Sequence, residues 1–202
     1  MSAVLEARPD VVAAWATLPA ALIARVRTSI VRVHGRGPAG ASGVIWRPGA
    51  VLTNHHVVAG TGGAVHVALA DGRACAARIV RANPGLDLAL IEVEADGLRP
   101  APIGDASRLR LGELVFAVGH PWGQPWVVTT GIVSGLGPVR LPGREVAAGL
   151  IRSDVRLAPG NSGGPLLDAR GEVVGLNAMI LGGDLAVAIP SDVARCWVET
   201  PA

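Results

Sequence analysis

The residues of this chain best suited to covalent chemistry are a serine in a glycine-rich stretch and, upstream of it, a pair of histidines and an aspartate. The stretch reads Gly160-Asn161-Ser162-Gly163-Gly164-Pro165-Leu166 and lies between two β-like runs. Glycine is used where backbone turns sharply or comes close to another group. Three glycines around one serine predict a hydroxyl held on a tight, exposed turn. The backbone N–H groups of such a turn can converge on one small space and form an anion nest. A nucleophile beside convergent N–H donors is what acyl transfer requires. Taken alone, the segment also fits a plain polar turn between two strands.

A serine hydroxyl needs an adjacent base, usually histidine, oriented by a third group. There are five histidines. His34 and His66 lie within alternating strands and read as ordinary strand residues, and His120 precedes Pro121 in a turn. His55 and His56 follow the strand-like Val51-Leu52-Thr53-Asn54 and precede Val57-Val58-Ala59-Gly60, which reads as a short helical turn ending on glycine. A histidine leaving a strand end can face a cleft, and the two positions are equivalent on this argument. The third group should be a carboxylate where it can be buried. Asp87 precedes the apolar run Leu88-Ala89-Leu90-Ile91, and an acid there is costly to bury unless hydrogen-bonded. A turn residue after Asn83-Pro84-Gly85 is the plainer reading of Asp87 alone. The order His, Asp, Ser is one of several in which this geometry occurs.

The elements that must position these residues are mostly strands. Residues 10–27 are the exception: Val11, Val12, Trp15, Leu18, Leu22 and Val26 recur at helical steps, and Pro19 is expected to split the segment into two short helices. From Thr28 the period changes. Ile30–His34, Ser42–Trp46, Ala50–Asn54, Val65–Ala70, Ala74–Arg81 and Leu88–Val93 read as strands, with Asp71-Gly72 a strong hairpin signal. Residues 95–112, rich in Gly and Pro, read as a connection. Leu114–Val118, Trp126–Leu136, Leu150–Ser153, Pro165–Leu167, Val173–Met179 and Ala186–Ile189 then repeat the rhythm, and Pro190-Ser191-Asp192 starts a short terminal helix with Ser191 as N-cap. The expected organisation is a helical segment at 1–27, a first β-barrel at 28–110 carrying the histidines and Asp87, and a second at 111–202 carrying Ser162.

Composition agrees with an all-β fold. The 202 residues suit one large β domain or two small ones. Half are hydrophobic, with one Phe and no Tyr, so aliphatic side chains must fill the core. Gly 27 and Pro 15 supply many turns. All 18 basic residues are arginine, scattered along the chain, and the net charge is +2, which argues against nucleic acid as a partner. Cys75 and Cys196 are too few for a disulfide scaffold; the two could pair, with two buried free thiols the plainer expectation. No apolar run approaches the roughly 18 residues of a membrane helix. The start Met1-Ser2-Ala3-Val4-Leu5-Glu6-Ala7-Arg8-Pro9 has no basic, then apolar, secretory pattern. The expectation is therefore a soluble chain, cytoplasmic if complete, although one trimmed of a signal would look the same.

Several motifs occur together in one order. They are Thr53-Asn54-His55-His56-Val57-Val58, Asp87-Leu88-Ala89-Leu90, Gly119-His120-Pro121-Trp122-Gly123, Gly131-Ile132-Val133-Ser134, Gly160 to Leu166, Gly175-Leu176-Asn177, and Ala186-Val187-Ala188-Ile189-Pro190-Ser191. From about Thr28 to Arg195 the chain resembles the HtrA/Deg branch of the trypsin-like serine proteases. The resemblance implies an all-β fold of two packed six-stranded β-barrels with short N-terminal and C-terminal helices. It also implies serine endopeptidase activity through an acyl-enzyme, with a role in protein quality control. His56 matches the general base because it directly precedes Val-Val; His55 falls at a variable position. Asp87 matches the acid, Ser162 the nucleophile, and the N–H groups of Gly160 and Ser162 the oxyanion hole. The segments implied to line the specificity pocket supply Leu157, Ala158, Ala178, Met179 and Ile180, which are apolar, with Gly182-Gly183 turning away and Asp184 facing solvent. The expected substrates are unfolded polypeptides with a small or medium aliphatic residue before the scissile bond. No metal or organic cofactor is needed, and no Cys/His cluster has zinc spacing. The oligomeric state is left open, a trimer included.

The chain departs from the family in places. No peptide-binding PDZ module follows Ala202, so regulation by one is expected to be absent from this polypeptide. Ala178 stands where relatives often carry a hydroxyl residue, which loosens the expected hold on the acid. Arg156 is bulkier than the small residue common there and is expected to face solvent. The alternative function is a non-catalytic or switch-dependent peptide-binding, chaperone-like domain on the same fold. An unrelated α/β esterase also uses Gly-x-Ser-x-Gly, but there the acid and histidine follow the serine.

Overall fold

The computed structural model describes residues 9–35, 40–141, 144–181 and 185–201. Helix α1 (Pro9–Val26) opens the described chain. Strands β1 (Ile30–His34), β2 (Ala41–Arg47) and β3 (Ala50–Thr53) follow, then the single helical turn α2 (His55–Val58). Strands β4 (Ala64–Ala68), β5 (Ala74–Asn83) and β6 (Leu88–Val93) complete a closed antiparallel barrel in the order β1-β2-β3-β6-β5-β4. Strands β7 (Leu114–Gly119), β8 (Val127–Leu141), β9 (Arg144–Ser153), β10 (Pro165–Asp168), β11 (Val173–Leu181) and β12 (Leu185–Pro190) close a second one, β10-β11-β12-β9-β8-β7. Helix α3 (Ser191–Glu199) follows β12. The fold is the expected pair of six-stranded barrels.

Why short, almost uninterrupted apolar runs build barrels is visible in the core. Successive strand residues face opposite sides, and here both sides are buried. Val44 and Ile45, Val51 and Leu52, Leu90 and Ile91 each send one side chain into the first barrel and the other outward. Val115 and Phe116, Leu166 and Leu167, Val173 and Val174 do the same in the second. The outward members, among them Val44, Leu52, Leu90, Phe116, Leu167 and Leu176, meet between the barrels and form a third core. Leu22 and Val26 of α1 and Ala194 and Trp197 of α3 pack onto it. The two barrels are therefore held against each other across this core.

Four local expectations are corrected. Helix α1 runs continuously through Pro19; proline removes one hydrogen bond, but Leu18, Leu22, Ile23 and Val26 keep the downstream turns packed on the core. Ser191 is not an N-cap: Pro190 takes that position, and Ser191 Oγ donates 2.9 Å to the Gly104 carbonyl, tying α3 to the inter-barrel connection. Strands β8 and β9 are longer than their apolar segments suggest, because cross-strand pairing from Val133↔Ser153 to Leu141↔Arg144 carries the hairpin past them. Both cysteines are free, but neither is fully buried; Cys75 is half-buried and Cys196 exposed.

Candidate active site

Pairing of Thr53 with Ala89 sets the chain leaving β3 beside the chain entering β6. Asn54 and the α2 turn therefore meet Asp87. The Asp87 carbonyl accepts the Asn54 amide and the His55 backbone N–H, both at 3.1 Å. Its carboxylate accepts the His56 backbone N–H on Oδ1 at 2.9 Å and His56 Nδ1–H on Oδ2 at 2.8 Å. Asp87 has φ 56°, a left-handed conformation that aspartate tolerates better than most residues, and the Leu86 N–H to Asn83 Oδ1 bond at 3.0 Å closes the preceding turn. The side chain of His56 is 48% exposed and that of Asp87 15%. In the neutral ring, Nδ1 donating to the carboxylate leaves Nε2 as the acceptor nitrogen. Between the adjacent histidines, the ring that meets Asp87 belongs to His56; His55 contributes backbone.

Ser162 comes from the other barrel. Its turn follows a β-turn over Ala158–Asn161, where the Asn161 N–H donates to the Ala158 carbonyl at 2.9 Å, and it leads into β10. The Pro159 carbonyl accepts the Trp122 N–H at 2.9 Å. In a trans peptide the following N–H points the opposite way, so that of Gly160 is turned away from Trp122. Gly160 has φ 108°, closed to residues with a Cβ. A Cβ at Gly163 would lie 2.1 Å from Thr53 Oγ1, so the two barrels touch there through bare backbone. Gly163 N–H donates to Asn177 O at 2.8 Å. Among the described residues, the N–H groups of Gly160 and Ser162 make no hydrogen bond. Ser162 Oγ donates to the Ala178 carbonyl at 3.2 Å. No hydrogen bond joins it to His56 among the described residues.

The expected pocket residues divide. Ala178, Met179 and Ile180 lie on β11, whose pairing with β12 shifts register between Asn177 and Met179. Ala178 is buried with its carbonyl on Ser162, Met179 packs toward the inter-barrel core, and Ile180 is 48% exposed. Leu157 leans on the second-barrel core, and Ala158 is half-buried. Arg156 is exposed, and its carbonyl accepts Thr129 Oγ1 at 2.8 Å. Gly182, Gly183 and Asp184 lie outside the described residues.

Sequence reasoning passed over the residues that brace this turn. Ser42 and Asn177 are fully or almost fully buried polar groups at the barrel junction. His120 is only 5% exposed, with its ring centroid 6.1 Å from that of Trp126. Burial, and behind it the charge of Arg32, pushes His120 down to about 4, so it is neutral at neutral pH. A serine between small residues in a strand carries no signal of such a role. Among the described residues, no three His, Cys, Asp or Glu side chains are grouped to hold a metal ion, and no helix is long and apolar enough to cross a membrane.

Two closed antiparallel barrels, one carrying a His–Asp pair and the other a Gly-x-Ser turn, define a class, the trypsin-like peptidases, and the trypsin-like peptidase domain family matches residues 41–176. Probable periplasmic serine endoproteases, DegP-like, from Marinomonas sp. (strain MWYL1) and Hahella chejuensis (strain KCTC 2396) are each 43% identical over 169 residues, covering 81% and 79% of this chain and 35% of the relative. The HtrA-type protease AlgW superposes with TM-score 0.82 at 32% identity in its structure with a tripeptide, over 89% of this chain and 62% of that one. Its structure with a decapeptide gives TM-score 0.80 at 29% identity, over 87% and 65%. The chain belongs to the trypsin-like peptidase domain family, and the relatives it resembles are of the HtrA/DegP type. It spans about a third of the length of the curated relatives it matches. One expectation is overturned: the first residues read as cytoplasmic for want of a secretory pattern, whereas these relatives are named periplasmic, and the cytoplasmic reading is withdrawn.

Proposed function

We propose that this domain hydrolyses peptide bonds in unfolded polypeptides through an acyl-enzyme on Ser162, with His56 as general base and Asp87 as its orienting carboxylate. The observation that carries this reading is the double grip of Asp87 on His56, ring and backbone together, which sets both tautomer and direction of the imidazole. His56 Nε2 takes the Ser162 proton as Oγ attacks the carbonyl carbon. The N–H groups of Gly160 and Ser162 receive the oxyanion. His56 then passes the proton to the leaving amine, and water, activated by the same nitrogen, releases the acyl group. The substrate strand has a place to pair. Beyond Asn177, β11 pairs with β12 on one edge, while β10 has already ended on the other. An extended peptide can add to that open edge through main-chain hydrogen bonds, and AlgW, the structural relative, holds peptides.

Asp87→Asn tests the role of the acid. The amide keeps an acceptor for the His56 N–H but turns an NH₂ toward Nδ1, which favours the wrong tautomer. We expect kcat to fall about 10⁴-fold, with KM for a peptide substrate little changed. A loss below tenfold contradicts the assignment.

The side chain before the scissile bond is proposed to contact Leu157, Ala158, Ala178, Met179 and Ile180. A cationic side chain finds no carboxylate among these residues, and burying an unpaired charge is strongly unfavourable. An apolar pocket separates aliphatic residues by only about 1–3 kcal/mol per methylene. Mass-spectrometric mapping of cuts in a denatured protein mixture should therefore give Val, Ala and Leu as the main residues before the cut, with broad tolerance among them. Dominant cutting after Lys or Arg refutes the pocket while leaving Ser162, His56 and Asp87 in place.

One observation favours a switch-dependent form of the second reading, a peptide-binding domain. The Ser162 hydroxyl rests on the Ala178 carbonyl, not on His56. Attack then requires the hydroxyl to leave Ala178, and catalytic hydrogen bonds often form only in the substrate complex.

A further inference from the structure

Ser42 lies in β2 of the first barrel, wholly buried, and reaches the opposite barrel's candidate nucleophile turn with its hydroxyl and its backbone N–H. Its Oγ donates to the Gly160 carbonyl at 2.7 Å, and its backbone N–H donates to the Ser162 carbonyl at 2.9 Å. The His120 backbone N–H donates to the same Oγ at 2.9 Å, and His120 Nδ1 lies farther off at 3.4 Å; the Gly160 carbonyl, an acceptor only and the nearest partner, takes the single hydroxyl proton. The Ser42 carbonyl in turn accepts Thr53 Oγ1 at 2.7 Å, at the end of the strand that leads into α2 and His56.

The consequence for Gly160 is geometric. Its φ is set by the peptide before it, anchored by Trp122 N–H on the Pro159 carbonyl at 2.9 Å. Its ψ is set by the peptide after it, which is anchored at both ends, by Asn161 N–H on the Ala158 carbonyl at 2.9 Å and by Ser42 Oγ on the Gly160 carbonyl. A glycine at φ 108° has no side chain to hold it there and is free to rotate unless both flanking peptides are pinned. Of these anchors, the Ser42 hydroxyl is the one that reaches Gly160 from the first barrel. Ser42 backbone N–H does the same for the peptide after Ser162.

We propose that Ser42 is a positioning residue for the oxyanion hole: through its hydroxyl on the Gly160 carbonyl, the first barrel holds the Gly160 N–H in the direction that receives the oxyanion. The inference rests on the endopeptidase reading above. Ser42 touches neither substrate nor the reacting atoms, so its removal misaligns a donor without deleting it. Deleting one oxyanion donor costs about 10²–10³ in kcat, and a misaligned one costs less.

The test compares wild-type protein, Ser42→Ala and Ser42→Cys, the last with a weak S–H donor of similar size. Cleavage of a fluorogenic peptide ending in valine before the scissile bond gives kcat and KM, and thermal melting reports the fold. Affinity for the matching peptide boronate is measured in each protein. Affinity for the uncleaved peptide is measured in the Ser162→Ala background. We expect Ser42→Ala to lose about 10- to 100-fold in kcat, Ser42→Cys to fall between it and wild type, KM to stay within threefold, and boronate affinity to fall in step with kcat while peptide affinity holds. A kcat within twofold of wild type in either folded variant overturns the inference, as does a loss carried by KM and peptide affinity. Loss of the fold in both variants assigns Ser42 to barrel packing and overturns it as well. Absence of cleavage by the wild-type protein refutes the endopeptidase reading itself and is seen before any variant is compared.

Discussion

Ser162→Ala is expected to reduce kcat by about six orders of magnitude, the loss typical of removing the nucleophile of such a site. Nothing in the fold depends on the hydroxyl beyond its 3.2 Å bond to the Ala178 carbonyl. The turn is held by backbone: Ser42 N–H on the Ser162 carbonyl, Gly163 N–H on Asn177, and Gly164 N–H on Asn161. The alanine variant should therefore melt close to wild type and still bind peptide along the open edge of β11. Rate and melting together separate a lost nucleophile from a lost fold. A variant that keeps more than a hundredth of wild-type activity contradicts the assignment.

His56→Ala should be about as damaging, again near 10⁶ in kcat, while His55→Ala should stay within about threefold of wild type. The two are neighbours in one helical turn, but only the His56 ring meets the Asp87 carboxylate, at 2.8 Å. His55 gives Asp87 its backbone N–H, which alanine keeps. Combining His56→Ala with Ser162→Ala should add little to either, because base and nucleophile act as one unit. Comparable losses at His55 and His56 would contradict the division of roles; a loss at His55 alone would reverse it.

The sequence carried much of this arrangement because the relevant signals are local. The Gly160 to Leu166 stretch needs glycine for the φ of 108° at Gly160 and for the bare contact of Gly163 with Thr53. The double barrel was legible from short apolar runs, since pairs such as Leu90 and Ile91 bury side chains on both faces. What escaped depends on residues far apart in the chain. Ser42 meets Gly160 across 118 positions and looks like any strand serine. Ser191 reads as a helix cap, yet its hydroxyl goes to Gly104. Pro19 reads as a break, yet packing of Leu22 and Val26 on the inter-barrel core carries α1 through it. The left-handed φ of Asp87, which aims its carboxylate at two nitrogens of His56, leaves no mark in composition or period.

The central claim is that Ser162 is a nucleophile activated by His56. Incubation of the wild-type protein with a fluorophosphonate probe, followed by digestion and mass spectrometry of the labelled peptide, tests it without knowledge of the substrate. The account predicts a single covalent adduct on Ser162, lost in Ser162→Ala and strongly slowed in His56→Ala. An adduct on another residue, or labelling of Ser162→Ala at the wild-type rate, would contradict it.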